Sequence, residues 1–229
     1  EVWYGTTDGL PEPTEGRSLS YEGDMAPDAL LNDQADYWCQ GSASYDEGNR
    51  GTPGAANDPC GFVSCIDGNQ ERDLREPSAG TIVISEALVN PSSTDSGKEW
   101  IEVFVAGDTA VDLNRLVVTS QSPDGESTET SEITTLACVS GEPGEYLVIG
   151  ASSDTDTNGG VTVDGVASGL SLLNAAGASI SISRRNEVLD TVVLPESESG
   201  VSWMLDDGML SVEGNDASGA FCEAPSSAT

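Results

Sequence analysis

One stretch of the sequence carries oxygen-bearing side chains that alternate in the manner of a calcium-binding loop. Asp154, Asp156 and Asn158 occupy the first, third and fifth positions before a glycine turn, and Asp164 follows it. Oxygen ligands at this spacing are typical of Ca²⁺ sites, but Gly165 stands where an EF-hand places its bidentate glutamate. The stretch predicts a calcium site at Asp154, Asp156, Asn158 and Asp164, with a simple chain reversal as the alternative.

Paired carboxylates are the second chemistry that the sequence offers. Glu86, Glu99 and Glu102 flank expected core strands, and glycoside hydrolysis requires two close carboxyl groups. The chain holds 40 Asp plus Glu, so close pairs are expected by chance, and hydrogen bonding at a strand edge is the simpler interpretation. The chain has no histidine, which excludes histidine-assisted serine or cysteine catalysis within it. We therefore expect no catalytic residues, and no cofactor other than Ca²⁺.

The five cysteines indicate an oxidising compartment. Cys60 and Cys65 are close enough in sequence for a disulfide that closes a small local loop. Cys138 precedes an expected strand and Cys222 lies near the end of the chain, so a Cys138–Cys222 disulfide would fasten the end of a domain to its middle. Cys39 is then left over, and we expect its partner to lie outside this segment.

The charge of the chain restricts its partners. Its 229 residues include 40 Asp plus Glu and 8 Lys plus Arg, which gives a formal net charge of −32. Nucleic-acid binding requires clustered basic side chains, and the basic residues here are scattered, so we expect no nucleic-acid partner. No stretch approaches the roughly 18 consecutive apolar residues of a membrane span. We expect no direct membrane insertion, and an export signal or anchor outside this segment.

The elements that must position these residues include an internal repeat. Three groups of residues recur in the same order. The matches are 10–19 with 194–203, Asn32-Asp33 with Asn215-Asp216, and Trp38-Cys39 with Phe221-Cys222. The sequence therefore predicts two copies of one domain.

The repeat divides the chain into three parts. Residues 1–57 are expected to be the C-terminal part of a first copy, residues 58–79 a cysteine-containing linker, and residues 80–229 a second copy. Residues 1–57 hold too few strands for a complete core. We expect the missing strands to come from a preceding part of the parent chain or from a neighbouring molecule.

Short β-rich runs separated by turn residues fill the second copy. Residues 99–105 alternate with period two, which predicts Ile101, Val103 and Val105 on one face and Trp100, Glu102 and Phe104 on the other. Trp100 and Trp203 are expected to be core aromatics, and no window predicts an amphipathic helix. The other runs are 81–91, 113–119, 145–150, 170–173, 178–183 and 188–194. Seven or more such strands predict an all-β fold, an immunoglobulin-like β-sandwich.

The ordered motifs of the second copy resemble the lamin-tail domain in the form found in large extracellular bacterial proteins. Each motif is short, and their order carries the resemblance. The motifs are Ile82-Val83-Ile84-Ser85-Glu86 with Asn90-Pro91, the stretch 97–103, Val111-Asp112-Leu113, the stretch 145–150 and Asn158-Gly159-Gly160-Val161; residues 51–57 resemble the ending of such a domain.

The resemblance implies an immunoglobulin-like sandwich that serves as a spacer, adhesion or targeting module without catalytic residues. The first hypothesis is a structural or adhesive repeat module of a secreted or cell-surface bacterial protein, whose partners are other copies or neighbouring domains of its parent chain. The alternative is a Ca²⁺-dependent module that recognises a glycan or a protein. A carboxylate-based hydrolase is the third, because fold alone does not settle function.

Overall fold

The computed structural model describes residues 14–23, 32, 38–41, 43–57, 60, 64–92, 97–184 and 187–225. Contacts divide the chain into two compact units, Glu1–Ser64 and Cys65–Thr229. The boundary falls inside the segment 58–79 that the sequence predicts to be a linker. Residues 65–79 therefore belong structurally to the second unit.

The described part of the first unit contains one antiparallel strand pair. Strand β1 (Leu19–Tyr21) pairs with β2 (Trp38–Gln40), so that Tyr21 lies opposite Trp38. The two rings meet edge to face with centroids 5.8 Å apart. Trp3, the other tryptophan of this unit, lies outside the described residues. That residues 1–57 require strands from elsewhere stays a prediction.

From Ser64 onwards the chain forms short strands joined by turns. They are β3 (Ser64–Asp67), β4 (Gln70–Asp73), β5 (Ile82–Leu88), β6 (Trp100–Val105), β7 (Val111–Asp112), β8 (Val117–Gln121), β9 (Thr128–Glu132), β10 (Ser140–Gly141), β11 (Tyr146–Gly150), β12 (Gly165–Val166), β13 (Ser179–Arg184), β14 (Glu187–Val193), β15 (Trp203–Leu205) and β16 (Phe221–Glu223). A 3₁₀ turn spans Asp207–Met209, and a single helical turn, α1, spans Val212–Asn215. Among the described residues, no helix has the length and apolar composition to cross a membrane.

Two sheets make up the body of the second unit. The larger has the strand order β12-β11-β6-β5-β15-β16 and the smaller the order β14-β13-β8-β9. Strands β11 and β12 are parallel, and the other neighbours in these sheets are antiparallel. The all-β sandwich predicted from the sequence is confirmed, and its assignment to the immunoglobulin-like class stays a prediction.

The core lies between the inner faces of the two sheets. In β6, Ile101, Val103 and Val105 are buried in it while the alternating side chains are half-buried, as the period-two pattern predicts. The smaller sheet contributes residues such as Ile180 and Ile182. Each such aliphatic side chain stabilises the fold by about 2 kcal/mol relative to its exposure to water.

Most of the expected strands form. The runs 81–91, 145–150, 178–183 and 188–194 become β5, β11, β13 and β14. Within 113–119 only the second half is a strand, because residues 114–115 turn and Arg115 takes a φ of 67°.

The strand expected at 170–173 is wrong. Leu172 is buried in the core, yet its N–H donates to Oε1 of Glu99 at 3.0 Å, and the N–H of Leu173 donates to Oγ of Ser120 at 2.9 Å. Side chains therefore bind the backbone groups that a neighbouring strand would otherwise bind.

The hairpin β3–β4 is fastened to the sandwich by Asp112, a carboxylate whose side chain is 0% exposed. Arg72 binds it through two bonds, Nη1 to Oδ2 at 2.6 Å and Nη2 to Oδ1 at 2.9 Å. The backbone N–H of Arg75 donates to Oδ2 at 2.7 Å, and Oγ of Ser140 donates to Oδ1 at 2.6 Å. The part of the expected linker from 65 to 79 is therefore tied to β7 and β10.

Burial alone would raise the pKa of Asp112, because a charged group loses hydration there. The hydrogen bonds from Arg72, Ser140 and Arg75 outweigh it and hold the pKa of this carboxyl well below its usual range. The same contact raises the pKa of the Arg72 guanidinium. Asp112 is consequently ionised in the folded chain.

The substitution Asp112→Asn is expected to destabilise the second unit by roughly 3 kcal/mol, the lower end of the cost of breaking a buried ion pair, because both arginines stay partly exposed. Urea unfolding of the full chain, followed by hydrogen exchange of peptides from 64–79, measures this. Asp108→Asn, an exposed site, is the control. Equal stability of the two variants would contradict the role of Asp112.

The same variant gives a pH test. A folded pKa below the unfolded one stabilises the protein above the unfolded value, about 3.9, and this stabilisation is lost as the pH falls through the folded pKa. The difference in unfolding free energy between wild type and Asp112→Asn should therefore be constant from pH 8 to about 5 and shrink below about pH 4. A difference that grows on acidification would be inconsistent with the ionised carboxylate.

Candidate functional site

The predicted calcium residues lie in the loop between β11 and β12. The backbone N–H of Asp154 donates to Oγ of Ser152, and that of Asp156 donates to Oδ1 of Asp154, both at 3.1 Å. Asp154 and Asp156 are exposed. The Asp154 side chain therefore supports the turn, and Asp156 takes part in this bond through its backbone N–H.

Asn158 is the buried residue of this loop, and its amide joins the two ends of the loop. Its Nδ2 donates to the carbonyls of Ser152 and Val161 at 2.9 and 2.8 Å. Its Oδ1 accepts from the N–H groups of Gly160 and Val161, both at 3.1 Å. The amide oxygen that the sequence assigns to Ca²⁺ is therefore bound by two backbone donors.

Asp164 also binds backbone, since its Oδ2 accepts from the N–H of Val148 at 2.8 Å. Across the described residues, no three acidic or cysteine side chains come together in a group that could hold a metal ion. Asp154, Asp156 and Asp164 all lie in this loop, but they do not form such a group. The calcium site stays a prediction.

Two of the three candidate carboxylates meet on the outer face of the larger sheet. Glu86 and Glu102 are direct cross-strand partners on β5 and β6. Oγ of Ser202 donates to Glu86 at 2.5 Å, and Oγ of Ser85 donates to Glu102 at 2.8 Å. Burial raises the pKa of Glu102. The hydrogen bond from Ser85 lowers this pKa, and the charge of the neighbouring Glu86 raises it, so that the net shift is upward.

Glu99 is separate from this pair. It is buried, and its Oε1 accepts a hydrogen bond from the N–H of Leu172 in the segment 170–173, which we call the core loop. Its observed contact is structural and corresponds to the simpler interpretation of the sequence.

Three aromatic rings share the outer face with these carboxylates. We call Trp100, Phe104, Tyr146, Glu86 and Glu102 together the aromatic face. Tyr146 lies opposite Phe104 across β6 and β11, with ring centroids 4.9 Å apart, and is 45% exposed. Burial raises the pKa of Tyr146, and the charges of Asp207 and Glu102 add to this effect.

Trp100 was expected in the core, and this expectation is wrong. Ile101 and Val103 occupy the inner face of β6, so the alternation places Trp100 on the outer face, where it is half-buried. Its buried Nε1 has no hydrogen-bond partner among the described residues. Trp203, by contrast, packs against the core as expected.

The cysteines pair differently from both predicted disulfides. The structure contains Cys39–Cys60 and Cys65–Cys138, and Cys222 is an exposed free thiol. The predictions Cys60–Cys65 and Cys138–Cys222, and a partner for Cys39 outside the segment, are therefore wrong.

Strand pairing explains the pairing of Cys65. The N–H of Ile66 donates to the Leu136 carbonyl at 2.8 Å, and the N–H of Cys138 donates to the Ile66 carbonyl at 3.1 Å. This bridge brings the Cα atoms of Cys65 and Cys138 to 4.9 Å, whereas Cys60 lies in the other unit. Closeness in sequence misled the prediction, because the hairpin β3–β4 folds onto a segment that is distant in sequence.

Comparison with known proteins leaves the family open. No family model matches this chain. No curated protein matches it either. The resemblance to the lamin-tail domain, which rests on short motifs, stays a prediction.

Sequence reasoning missed two buried polar groups. The signal for Asp112 lies in the motif Val111-Asp112-Leu113, because an acid between two apolar residues next to a strand indicates a buried ion pair. Asn215 binds the buried carboxylate of Asp190, with Nδ2 2.8 Å from Oδ2. The sequence signal for Asn215 is the pair Asn215-Asp216, which recurs at 32–33.

The disulfide assignment has a direct chemical test. We expect a non-reducing peptide map to contain the 39–60 and 65–138 linked peptides, and native alkylation to label one thiol, that of Cys222. The Cys65–Cys138 crosslink closes a loop with a sequence separation of 73, so its loss should destabilise the second unit by about 4 kcal/mol on the chain-entropy estimate.

The matched control is Cys222→Ser, which should leave the unfolding free energy unchanged. Recovery of a peptide that links residues 60 and 65, or 138 and 222, would refute the pairing.

Proposed function

We propose that this chain is a non-catalytic structural and adhesive module of a larger exported protein. Two disulfides indicate an oxidising environment, which is typical of secreted and surface proteins. The strand pair β1–β2 of the first unit and the strand pair β15–β16 of the second have equivalent registers. Ser20 lies opposite Cys39 in the first pair, and Met204 lies opposite Cys222 in the second. This equivalence supports a tandem arrangement of similar modules.

The Cys65–Cys138 disulfide is the observation that carries the proposal. When a chain is pulled along its length, tension passes from residue 65 through the sulfur atoms to residue 138. The backbone between them carries no tension, and that stretch includes β5 and β6 of the larger sheet and β8 and β9 of the smaller one. Central strands of both sheets are thereby shielded from mechanical load.

The ion pairs of Asp112 act beside this crosslink. Arg72 and Arg75 lie inside the unloaded loop, where they hold the hairpin that begins beside Cys65 to Asp112 of the sandwich. Such fixation suits a spacer or adhesive module that must keep its fold under tension. The acidic surface, with a net charge of −32, would keep an array of such modules soluble.

Single-molecule force spectroscopy on the full chain, held at its two ends, tests this proposal. With the disulfide intact, unfolding of the second unit should release only the residues after 138. Cys65→Ser with Cys138→Ser should add a sequence separation of 73 residues, roughly 250 Å of extended chain, and reduction should add this length together with that closed by the Cys39–Cys60 disulfide.

The control pair Cys39→Ser with Cys60→Ser should add a separation of 21 residues, roughly 70 Å, and only in the first unit. Extension of the oxidised chain without a resolved unfolding step of the second unit would argue against a structural role under load.

Recognition of a glycan or protein is a second candidate function, and the aromatic face supports it. Half-buried aromatic rings present apolar area for the ring face of a sugar, and the Glu86 and Glu102 carboxylates can accept hydroxyl hydrogens. Side chains on three paired strands, β5, β6 and β11, are held rigidly, which limits the entropy cost of binding. The calcium dependence expected from Asp154 and Asp156 belongs to this candidate.

A glycan array probed with the full chain, with Ca²⁺ and with chelator, examines this candidate. Tyr146→Ala should weaken binding about tenfold, because its ring is the most exposed of the three. Tyr45→Ala, at an exposed tyrosine of the first unit, should leave binding unchanged. Equal losses in both variants, or no binding at all, would remove the aromatic face from consideration.

A further inference from the structure

Cys222 lies on β16, the last strand in the described order of the larger sheet, and its thiol is exposed and free. It is opposite Met204 on β15, which is in turn opposite Glu86 on β5. Side chains directly opposite each other on paired strands share a face of the sheet. Cys222 therefore stands on the outer face, with one strand between it and Glu86 of the aromatic face.

The first unit contains an equivalent strand pair, and the equivalence extends to the backbone hydrogen bonds that close each pair. In the first unit the N–H of Gly41 donates to the Ser18 carbonyl at 2.7 Å. In the second unit the N–H of Ala224 donates to the Ser202 carbonyl at 2.9 Å. With the shared register of the two pairs, this places the cysteine of β16 where the first unit has the cysteine of β2.

In the first unit this cysteine is already crosslinked. Cys39 forms a disulfide with Cys60, and their Cα atoms are 5.3 Å apart. The N–H of Cys60 also donates to Oε1 of Glu22 at 2.9 Å, and Glu22 directly follows β1. Glu22 is 2% exposed and Ser20, opposite Cys39, is 6% exposed. Cys60 is thus held by one covalent bond and by one hydrogen bond to a carboxyl group.

The corresponding positions of the second unit are less buried. Met204, in the place of Ser20, is half-buried, and Asp206, in the place of Glu22, is exposed. Asp206 has a φ of −63° and a ψ of 131°, an extended backbone that continues β15. One of its oxygens caps the 3₁₀ turn, and a carboxylate can accept further hydrogen bonds. The second unit therefore presents a thiol and an acceptor where the first unit binds its linker cysteine.

We infer that Cys222 is a crosslinking site, which forms a disulfide with the cysteine of a linker segment like 58–65. The inference rests on the tandem arrangement proposed above, in which a linker of this kind lies beside each module. The backbone N–H of the incoming cysteine donates to Asp206, as the N–H of Cys60 donates to Glu22 in the first unit.

The crosslink forms by oxidation of two thiols. The S–H bonds of Cys222 and of the incoming cysteine break, and one S–S bond forms between the two sulfur atoms. Two protons and two electrons pass to a disulfide oxidant such as glutathione disulfide, which becomes two thiols. Oxidants of this class occur in the compartments where disulfide-bonded proteins are made.

A second copy of this chain is a poorer partner for Cys222. A disulfide between two Cys222 thiols would bring together two chains that each have a net charge of −32, with Glu223 next to the bond in both. The segment 58–65 contains one acidic residue, Asp58, and so adds little repulsion. The linker segment is therefore the partner that the charges favour.

The test is a thiol–disulfide exchange assay on the full oxidised chain. The probe is a synthetic peptide with the sequence of residues 52–63, whose single cysteine is activated as a mixed disulfide with thionitrobenzoate. Attack by the Cys222 sulfur on the peptide sulfur releases thionitrobenzoate, whose absorbance gives the rate. A peptide with the same residues scrambled around the cysteine is the control, and Cys222→Ser gives the background.

We expect the native peptide to react at least about tenfold faster than the scrambled one, because docking adds noncovalent contacts to the exchange. Peptide mapping should locate the product at Cys222. Equal rates for the two peptides would identify a thiol that is merely exposed and would overturn the inference.

Asp206→Asn should slow the reaction of the native peptide several-fold, because it weakens the hydrogen bond to the incoming cysteine while asparagine keeps the cap of the 3₁₀ turn. Asp207→Asn, the same change at the next exposed acid, should leave the rate unchanged. Equal rates in the two variants would contradict the role of Asp206.

The partner is tested by oxidising the full chain with glutathione disulfide in the presence of the reduced native peptide. The peptide adduct should be the main product, and dimers linked through Cys222 as the main product would overturn the inference. Force spectroscopy of the Cys65–Cys138 loop does not involve Cys222. A failed exchange assay with an intact unfolding step would therefore remove the crosslinking site and leave the structural role in place.

Discussion

The convergence of Arg72 and Arg75 on the buried carboxylate of Asp112 is the constraint on which the second unit depends. An ionised group with no exposed surface is tolerated only when donors surround it, and here two arginines and a serine supply them. Basic residues are scarce in this chain, with 8 against 40 acids. Two of them meet at one carboxylate, which fixes the hairpin β3–β4 and so places Cys65 opposite Cys138.

Polar side chains also complete the sandwich where strand pairing stops. On its edge away from β6, strand β5 pairs with β15 at Glu86 and Ala87, while the backbone of Ile84 is bound by the Asp190 carboxylate and the Asn215 amide. The core loop around Leu172 is held in the same manner by Glu99. These side chains replace missing ladder hydrogen bonds, because a buried backbone group without a partner would be destabilising.

Features that depend on residues close in sequence could be predicted here, whereas features that depend on contacts between distant segments could not. The period-two pattern of residues 99–105 depends on nearest neighbours and correctly gave β6, as did the runs that became β5, β11, β13 and β14. Disulfide pairing depends on which distant segments meet. The β-bridge between Ile66 and Ala137, which brings Cys65 and Cys138 together, cannot be recognised from the local sequence. The loop around Asn158 shows a third case, since the same oxygen-rich spacing suits a cation or the backbone donors that bind Asn158 here.

The loop closed by Cys65 and Cys138 also bears on how the module meets proteases. The turn between β8 and β9, residues 122–127, is largely exposed and lies inside that closed loop. Such loop tips are preferred sites of cleavage. A single cut there would leave both fragments covalently joined and the strands on either side still paired with their neighbours. The nicked protein would therefore stay in one piece, and would come apart only in a reducing medium.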